Sequence, residues 1–457
     1  MEIQMFRFGR SIVIGFLTML VLNSCTTVRF QVPQSRMIPP DSFGMAHAGG
    51  RFTEKENRLL DEMGVSWIRA TFRWDSIQKR TKQWDFRVWD RYVENAERAG
   101  KKILAVLAYD VPWIYGKEEK EARRHIEPDK IPYFLQYVEG VVRRYKGRIH
   151  AYEIWNEPNW LFWKGPDEDF FALARETARR IREVDPGAYI VAGSFWRVPR
   201  RFMKGMFRSG VFQYADAVSF HPYASSPEGV MALYDELREI LEQEGFKGDI
   251  WVTEVGFPTG GWYFTRVSES RKPSYVIKTL AGLLVRGARV VFWYELFDKY
   301  PEGEAPSVLD SELYFGLSYP DFRPKSGAVA YALLARKIAG ATYRPDLVET
   351  AGDLDDRLEV LPFLLPDGEK VLLVWSRTGE SVPIRISPWE KLLQYHPATG
   401  RRETVPPGGK FTVGEEGIFL SWEANSRESP FTIQEADPES QERITLSGEL
   451  SFTWKIR

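Results

Sequence analysis

Lys102-Ile-Leu-Ala-Val-Leu-Ala-Tyr109 is followed by Ile131-Pro-Tyr-Phe-Leu-Gln-Tyr-Val-Glu-Gly-Val-Val-Arg-Arg-Tyr145, and then by Ile149-His-Ala-Tyr-Glu-Ile-Trp-Asn156. The outer segments are short apolar or β-branched runs, as strands require, and the middle one is an amphipathic helical pattern. Strand, helix, strand in this order is one parallel βαβ unit. The same alternation extends in both directions. Strands are expected at Phe43–His47, Val65–Phe72, Lys102–Tyr109, Ile149–Asn156, Tyr189–Ser194, Ala217–Tyr223, Ile250–Gly256 and Val290–Leu296. Helical patterns separate them at Thr53–Met63, Val88–Ala99, Glu168–Val184, Gly229–Glu244 and Ser274–Arg286, and Lys325–Ala339 reads as the last helix. Eight such units over residues 41–340 predict a (β/α)8 TIM barrel. A doubly wound open sheet would carry a Gly-rich phosphate loop after its first strand, and Ala48-Gly49-Gly50-Arg51 is not that fingerprint.

Beyond the barrel the texture changes. Residues 341–457 show short strands with turn signals such as Pro366-Asp367-Gly368, which predicts a small C-terminal β-sandwich. Residues 425–440 are polar and acidic and read as a linker, and Ile444–Ile456 alternates like a final strand.

The whole-chain numbers exclude several classes. The 457 residues carry 62 Lys+Arg against 63 Asp+Glu, too even a balance for a general nucleic-acid binder. Hydrophobic residues at 44% and charged residues at 27% are those of a globular protein. The single cysteine, Cys25, rules out an internal disulfide. The 16 Trp are an excess that needs a reason.

Barrel chemistry sits at the carboxyl ends of the strands. The fourth strand ends in Ala151-Tyr-Glu-Ile-Trp-Asn-Glu-Pro-Asn159 and the seventh in Ile250-Trp-Val-Thr-Glu-Val-Gly-Phe257. Each places a Glu at the mouth, Glu157 and Glu254, three βα units apart. Two carboxylates across a pocket suit glycoside hydrolysis: one donates a proton to the leaving oxygen, and the other attacks the anomeric carbon or activates water.

Trp155-Asn156-Glu157-Pro158 and Thr253-Glu254 at this spacing resemble glycoside hydrolase clan A, the retaining (β/α)8 glycosidases. Tyr152–Asn159 with a trailing sandwich is most similar to family 39, and family 5-like enzymes are a second comparison. The resemblance implies Glu157 as acid/base, Glu254 as nucleophile, and Asn156 as the partner of the sugar 2-hydroxyl. It implies that Tyr223 touches the nucleophile, His221 lines the sugar subsite, and Arg69 keeps the nucleophile anionic. Trp293 would then be the aromatic floor under the reacting sugar, and His47 a further subsite residue. Trp160 and Trp163 follow the Asn-Glu-Pro motif and are expected as sugar-stacking platforms. Trp67, Trp84, Trp89 and Trp251 are expected to pack between barrel and helices.

Glu153 shares strand parity with Glu157 but lies four residues earlier, which suits a structural carboxylate inside the barrel. Glu295 and Asp298 are strand-end acids that are candidates for a hydroxyl contact. No His-x-His or His-Glu-x-x-His spacing occurs, so neither a metal nor another cofactor is expected. A transglycosylase remodelling an exopolysaccharide would use the same two carboxylates with water excluded. A non-catalytic carbohydrate-binding lipoprotein would keep the tryptophans and lose one Glu, and both are present.

The amino terminus carries its own signal. Arg7 and Arg10 precede the apolar run Ser11–Leu22, which has the length of an export signal and is short for a membrane span. Leu22-Asn23-Ser24-Cys25 resembles the lipobox of bacterial lipoproteins, with Cys25 as the lipid attachment. The expected organisation is a signal peptide at 1–24, a tether at 25–40, the barrel at 41–340 and the β-domain at 341–457. The protein is expected at the cell envelope, anchored to membrane through lipid, with a carbohydrate substrate.

Overall fold

The computed structural model describes residues 34–46, 52–116, 121–262, 266–300, 309–350, 352–387, 392–405, 409–423 and 431–436. The signal segment, Cys25, His47 and the strand expected at Ile444–Ile456 lie outside the described residues.

Eight parallel strands close into a barrel. They are β1 (Phe43–Ala46), β2 (Trp67–Thr71), β3 (Lys102–Leu107), β4 (Ala151–Ile154), β5 (Ile190–Trp196), β6 (Ala217–His221), β7 (Asp249–Val255) and β8 (Ala288–Trp293). The main helices between and after them are α1 (Glu54–Glu62), α2 (Arg87–Arg98), α3 (Ile131–Tyr145), α4 (Asp167–Val184), α5 (Arg200–Ser209), α6 (Pro227–Gln243), α7 (Lys272–Arg286) and α8 (Ser326–Ile338). Thr53 starts α1 with a reciprocal capping box to Glu56, and Ser226 caps α6 through Gly229. Helix α5 is absent from the sequence expectation. Its buried Phe202, Met203 and Met206 do keep a helical spacing opposite basic residues, but over only ten residues. Gly205 is there because any Cβ would strike the Phe171 ring.

The barrel interior is layered. At its base Trp67, Trp251 and Phe292 pack on one another, with Trp67 and Trp251 rings 5.0 Å apart. This corrects the expectation for Trp67 and Trp251, which fill the barrel itself rather than the layer outside it. Gly44 on β1 leaves room for Phe292, whose ring would lie 2.6 Å from a Cβ. Trp84 is also corrected: it is 38% exposed and stacks on Phe86. Trp89 is buried against Phe72, as expected.

The C-terminal strands form two sheets. An antiparallel seven-stranded sheet includes Leu358–Leu364, Glu369–Ser376 and Ile418–Glu423, and a mixed four-stranded sheet includes Val382–Ser387 and Lys410–Val413. Leu372, Val374, Ile384, Ile386 and Leu420 are buried between them as a sandwich core. Two expectations change here. Arg36–Met37, assigned to the tether, pairs with Thr342–Tyr343 as an edge of the larger sheet, and Ile38 is fully buried beside it. Phe431–Glu435, assigned to the polar linker, is a strand between Val348–Thr350 and Val382–Ser387, with Ile433 buried. One buried apolar residue and a neighbouring edge were enough to recruit a polar segment. The other face of the larger sheet packs on the barrel through Leu361, Phe363, Leu373 and Trp375. Every residue of α7 is buried as a result. No helix among the described residues is long and apolar enough to cross a membrane.

Candidate active site

Strict alternation along β4 would send Trp155 inward with Glu153. Instead the strand ends at Ile154, Trp155 takes φ +66° and Glu157 φ +42°. Trp155 thereby turns out against Phe134, Trp163 and Phe170, and both Asn156 and Glu157 line the mouth. The neighbouring β5 breaks similarly. Its register with β6 shifts between Ala192 and Phe195, where Gly193 and Ser194 have positive φ, and the Ser194 carbonyl accepts from the Glu157 amide. Pairing of β7 with β8 shifts between Val252 and Val255, and consecutive Thr253 and Glu254 both reach interior partners.

The polar layer above the aromatic base centres on Arg69 of β2, which is 5% exposed. Its Nε donates to Glu153 (2.6 Å), Nη1 to Glu254 (2.5 Å) and Nη2 to Asn156 (2.8 Å). Glu153 is fully buried and also accepts from Ser219 Oγ (2.6 Å) and Thr253 Oγ1 (2.8 Å). It is a structural carboxylate, satisfied by three strands. The second oxygen of Glu254 accepts from the Tyr223 hydroxyl at 2.9 Å. His221 does not line the sugar subsite as expected: it is fully buried beneath the carboxylates, with Nδ1 2.7 Å from Glu157, and Nε2 3.2 Å from Thr253 and 3.4 Å from Ser194.

The two mouth carboxylates differ electrostatically. Burial pushes the Glu157 carboxyl above its usual range, against the hydrogen bond and charge of His221, and the Glu254 charge adds to the push. Burial acts on Glu254 in the same direction, but the charges of His221 and Arg69 and the bonds from Tyr223 and Arg69 outweigh it. Glu254 is therefore held below the ordinary carboxylate value. One group is poised to hold a proton and the other to stay ionised.

A cleft of about 620 Å³ opens over these groups. Arg69, Asn156, Glu157, Tyr223 and Glu254 form its floor, and Tyr109, Trp160, Phe162, Trp196, Tyr294 and Phe315 supply aromatic walls. Trp160 stacks on Trp196 at 4.2 Å between ring centroids and is 47% exposed. Two expected wall residues are elsewhere. Trp293 is fully buried against Phe257, because Phe292 faces into the barrel and the next residue must face out; Tyr294 reaches the cleft instead. Trp163 is 5% exposed, packs on Trp155 and donates to the Pro166 carbonyl, so it braces the loop from beneath. Glu295 and Asp298 do not line the cleft; they are buried and paired with Lys299 and Lys325. Burial pushes Glu295 up to about 8, against the pull of Lys299.

Sequence reading passed over Tyr109, Ser194 and Tyr294. Tyr294 was accessible by counting parity from Phe292; Ser194 was not, since the β5 irregularity has no signature beyond Gly193. Glu157, His221 and Glu254 each offer an atom within 4.8 Å of the others, a spacing a cation would accept. However, the Arg69 guanidinium already supplies positive charge to Glu254, and His221 is committed to Glu157. The donor set fits a proton-transfer site better than a metal centre.

Residues 35–257 match the family model for cellulase (glycosyl hydrolase family 5). Among solved structures, a family 39 glycoside hydrolase from the gut symbiont Bacteroides cellulosilyticus WH2 is similar over 84% of this chain and 81% of its own, at 20% identity and TM-score 0.69. A monomeric β-xylosidase from Caulobacter crescentus CB15 covers 87% of this chain and 98% of its own at 16% identity and TM-score 0.59. A GH30 endoxylanase from Clostridium papyrosolvens C71 covers 86% and 98% at 15% identity and TM-score 0.57. The clan A resemblance read from Asn156-Glu157-Pro158 is thus met by the family 5 match, and the barrel with its trailing sheets by the structural neighbours.

Proposed function

We propose that this chain, an O-glycosyl hydrolase by its family match, cleaves β-glycosidic bonds of a poly- or oligosaccharide by double displacement with retention. The observation that carries the mechanism is the approach of the two carboxylates. Glu157 and Glu254 bring oxygens within 4.8 Å of one another. Retaining enzymes hold their carboxyl groups ~5–5.5 Å apart, and inverting enzymes ~6.5–9.5 Å, to admit a water. In this reading Glu157 protonates the leaving oxygen while Glu254, kept ionised by Arg69 and Tyr223, attacks the anomeric carbon. Glu157 then takes a proton from the water that releases the sugar. Asn156, fixed by Arg69, holds the 2-hydroxyl.

The test is proton NMR of the first product formed from a glycan found by screening a polysaccharide panel. A β-anomer that appears first and then mutarotates is expected; initial α-product would remove the double displacement. A companion prediction concerns Tyr223→Phe. Losing one hydrogen bond to a charged group is worth ~1.5–3 kcal/mol, so kcat should fall by about 10–100-fold. The acid limb of the pH–rate profile should move upward, because that bond helps hold Glu254 low. An unmoved acid limb would show that Tyr223 does not act through Glu254.

We further propose that the enzyme works outside the cytoplasm as a lipoprotein. Arg7, Arg10, the apolar run Ser11–Leu22 and Cys25 directly after it support that reading. Mass spectrometry of protein made in a bacterial host tests it: an N-terminus at Cys25 carrying acyl chains is expected, and an unacylated Cys25 would overturn it.

A further inference from the structure

One edge of the cleft carries positive charge that the chemistry above leaves unused. Arg124 stands over the Phe162 ring at 5.9 Å and donates to the Leu161 carbonyl at 2.9 Å. Arg197 stands over the Trp196 ring at 5.8 Å. Both rings are walls of the cleft. Among the described residues, neither guanidinium has a carboxylate partner. Two acids on the connections after β2 and β3 are already engaged. Asp75 pairs with Arg73, and Asp110 is buried beneath the amides of Arg123 and Arg124 and the Tyr115 hydroxyl. Both unpaired arginines also hold left-handed backbone, at φ +56° and +58°, a conformation that a non-glycine side chain adopts at a cost.

The opposite end of the cleft offers no unpaired positive charge among the described residues. Glu312 lines it, accepting from the Tyr294 hydroxyl at 2.9 Å, with Lys299 at 3.6 Å. Glu157 and Glu254 occupy the centre. A negatively charged sugar is therefore disfavoured at the centre and at the Glu312 end. It is favoured over the Trp160–Trp196 stack and the Phe162 ring, where a pyranose face meets an aromatic plane and Arg197 and Arg124 each stand over a wall ring. A neutral glycan offers these two groups hydroxyl acceptors but no counter-charge.

We infer that the substrate is an acidic glycan, and that Arg124 and Arg197 form a subsite for the carboxylate of a uronic acid residue next to the cleavage point. The inference rests on reading the cleft as a glycosidase site. The test is direct binding by the full chain carrying Glu157→Gln, measured by calorimetry at low and high salt. The probes are matched pairs of oligosaccharides: β-1,4-linked glucose and glucuronic acid tetramers, the mannose and mannuronic acid tetramers, and xylohexaose without and with a glucuronic acid branch.

In at least one pair the acidic member should bind about tenfold tighter, the scale of one charge-assisted contact, with the preference shrinking as salt rises. Adding Arg124→Gln and Arg197→Gln should abolish the preference and leave the neutral member's affinity unchanged. Arg124→Lys with Arg197→Lys should restore part of it. Equal or tighter binding of every neutral member, no binding of any acidic one, or a preference that survives the double Gln change would each overturn the inference. Its failure is separable from failure of the hydrolase reading. Turnover of a neutral glycan that Glu254→Gln abolishes, with no acidic preference, leaves the hydrolase standing alone. Arginine-dependent acidic preference without turnover of any member does the reverse.

Discussion

Glu254→Gln and Glu157→Gln should each lower kcat on a natural glycan by at least about 10²–10⁴-fold, the usual range for a positioned acid, base or nucleophile. Neither change should disturb the fold, because a glutamine carbonyl still accepts from Arg69 or faces His221 in place of the carboxylate oxygen. The two variants should separate on an activated aryl glycoside. A leaving group that needs no proton spares the task of Glu157, so Glu157→Gln should keep a fast first step and then stall, whereas Glu254→Gln should remain inactive. The wild-type pH profile should be bell-shaped with a fixed sign. Rate falls on the acid side as Glu254, held low, takes up its proton, and on the basic side as Glu157, held high, loses its own. Steady-state kinetics on both substrate types measure this, and full activity in either variant would remove the mechanism.

Arg69→Met should have the largest effect on stability. The guanidinium is buried and satisfies Glu153, Glu254 and Asn156 together. Without it two carboxylates stay in the barrel with their main counter-charge gone, and stranding one partner of a buried pair costs ~3–5 kcal/mol. Urea denaturation should show this as a lower midpoint with little change in slope. Arg69→Lys is the variant that keeps the test informative if Arg69→Met fails to fold. It retains the charge but cannot fork to three acceptors. A folded protein is expected, with the acid limb of activity shifted upward and kcat reduced. A wild-type profile for Arg69→Lys would mean that Glu254 does not depend on this contact.

The barrel was legible because its strands and helices differ in period, and because Glu157 and Glu254 are strand-end carboxylates at barrel spacing. Arg69, His221 and Tyr223 were legible by resemblance, and their side chains do converge on the two carboxylates. What could not be read was where alternation breaks. Trp155 turning out and Ser194 turning in depend on positive φ at residues other than glycine, which tertiary contacts impose and the local sequence does not announce. Trp293 was misplaced for the opposite reason: β8 stays regular through that residue, so a family-like position pointed the wrong way. Phe431–Glu435 hid because its partners are strands far away along the chain, and a single buried Ile433 leaves no visible period.

Arg69, Glu153, Ser219 and Thr253 tie β2, β4, β6 and β7 together below the mouth, using side chains from inside the staves alone. The reacting carboxylates are aimed from this belt, whereas Trp160, Phe162, Arg124, Arg197 and Glu312 ride on the connections above it. Division of labour of this kind lets the two parts drift at separate rates. Exchanging the connections for those of a relative would change which polymer is grasped while the bond-breaking step stayed as it is.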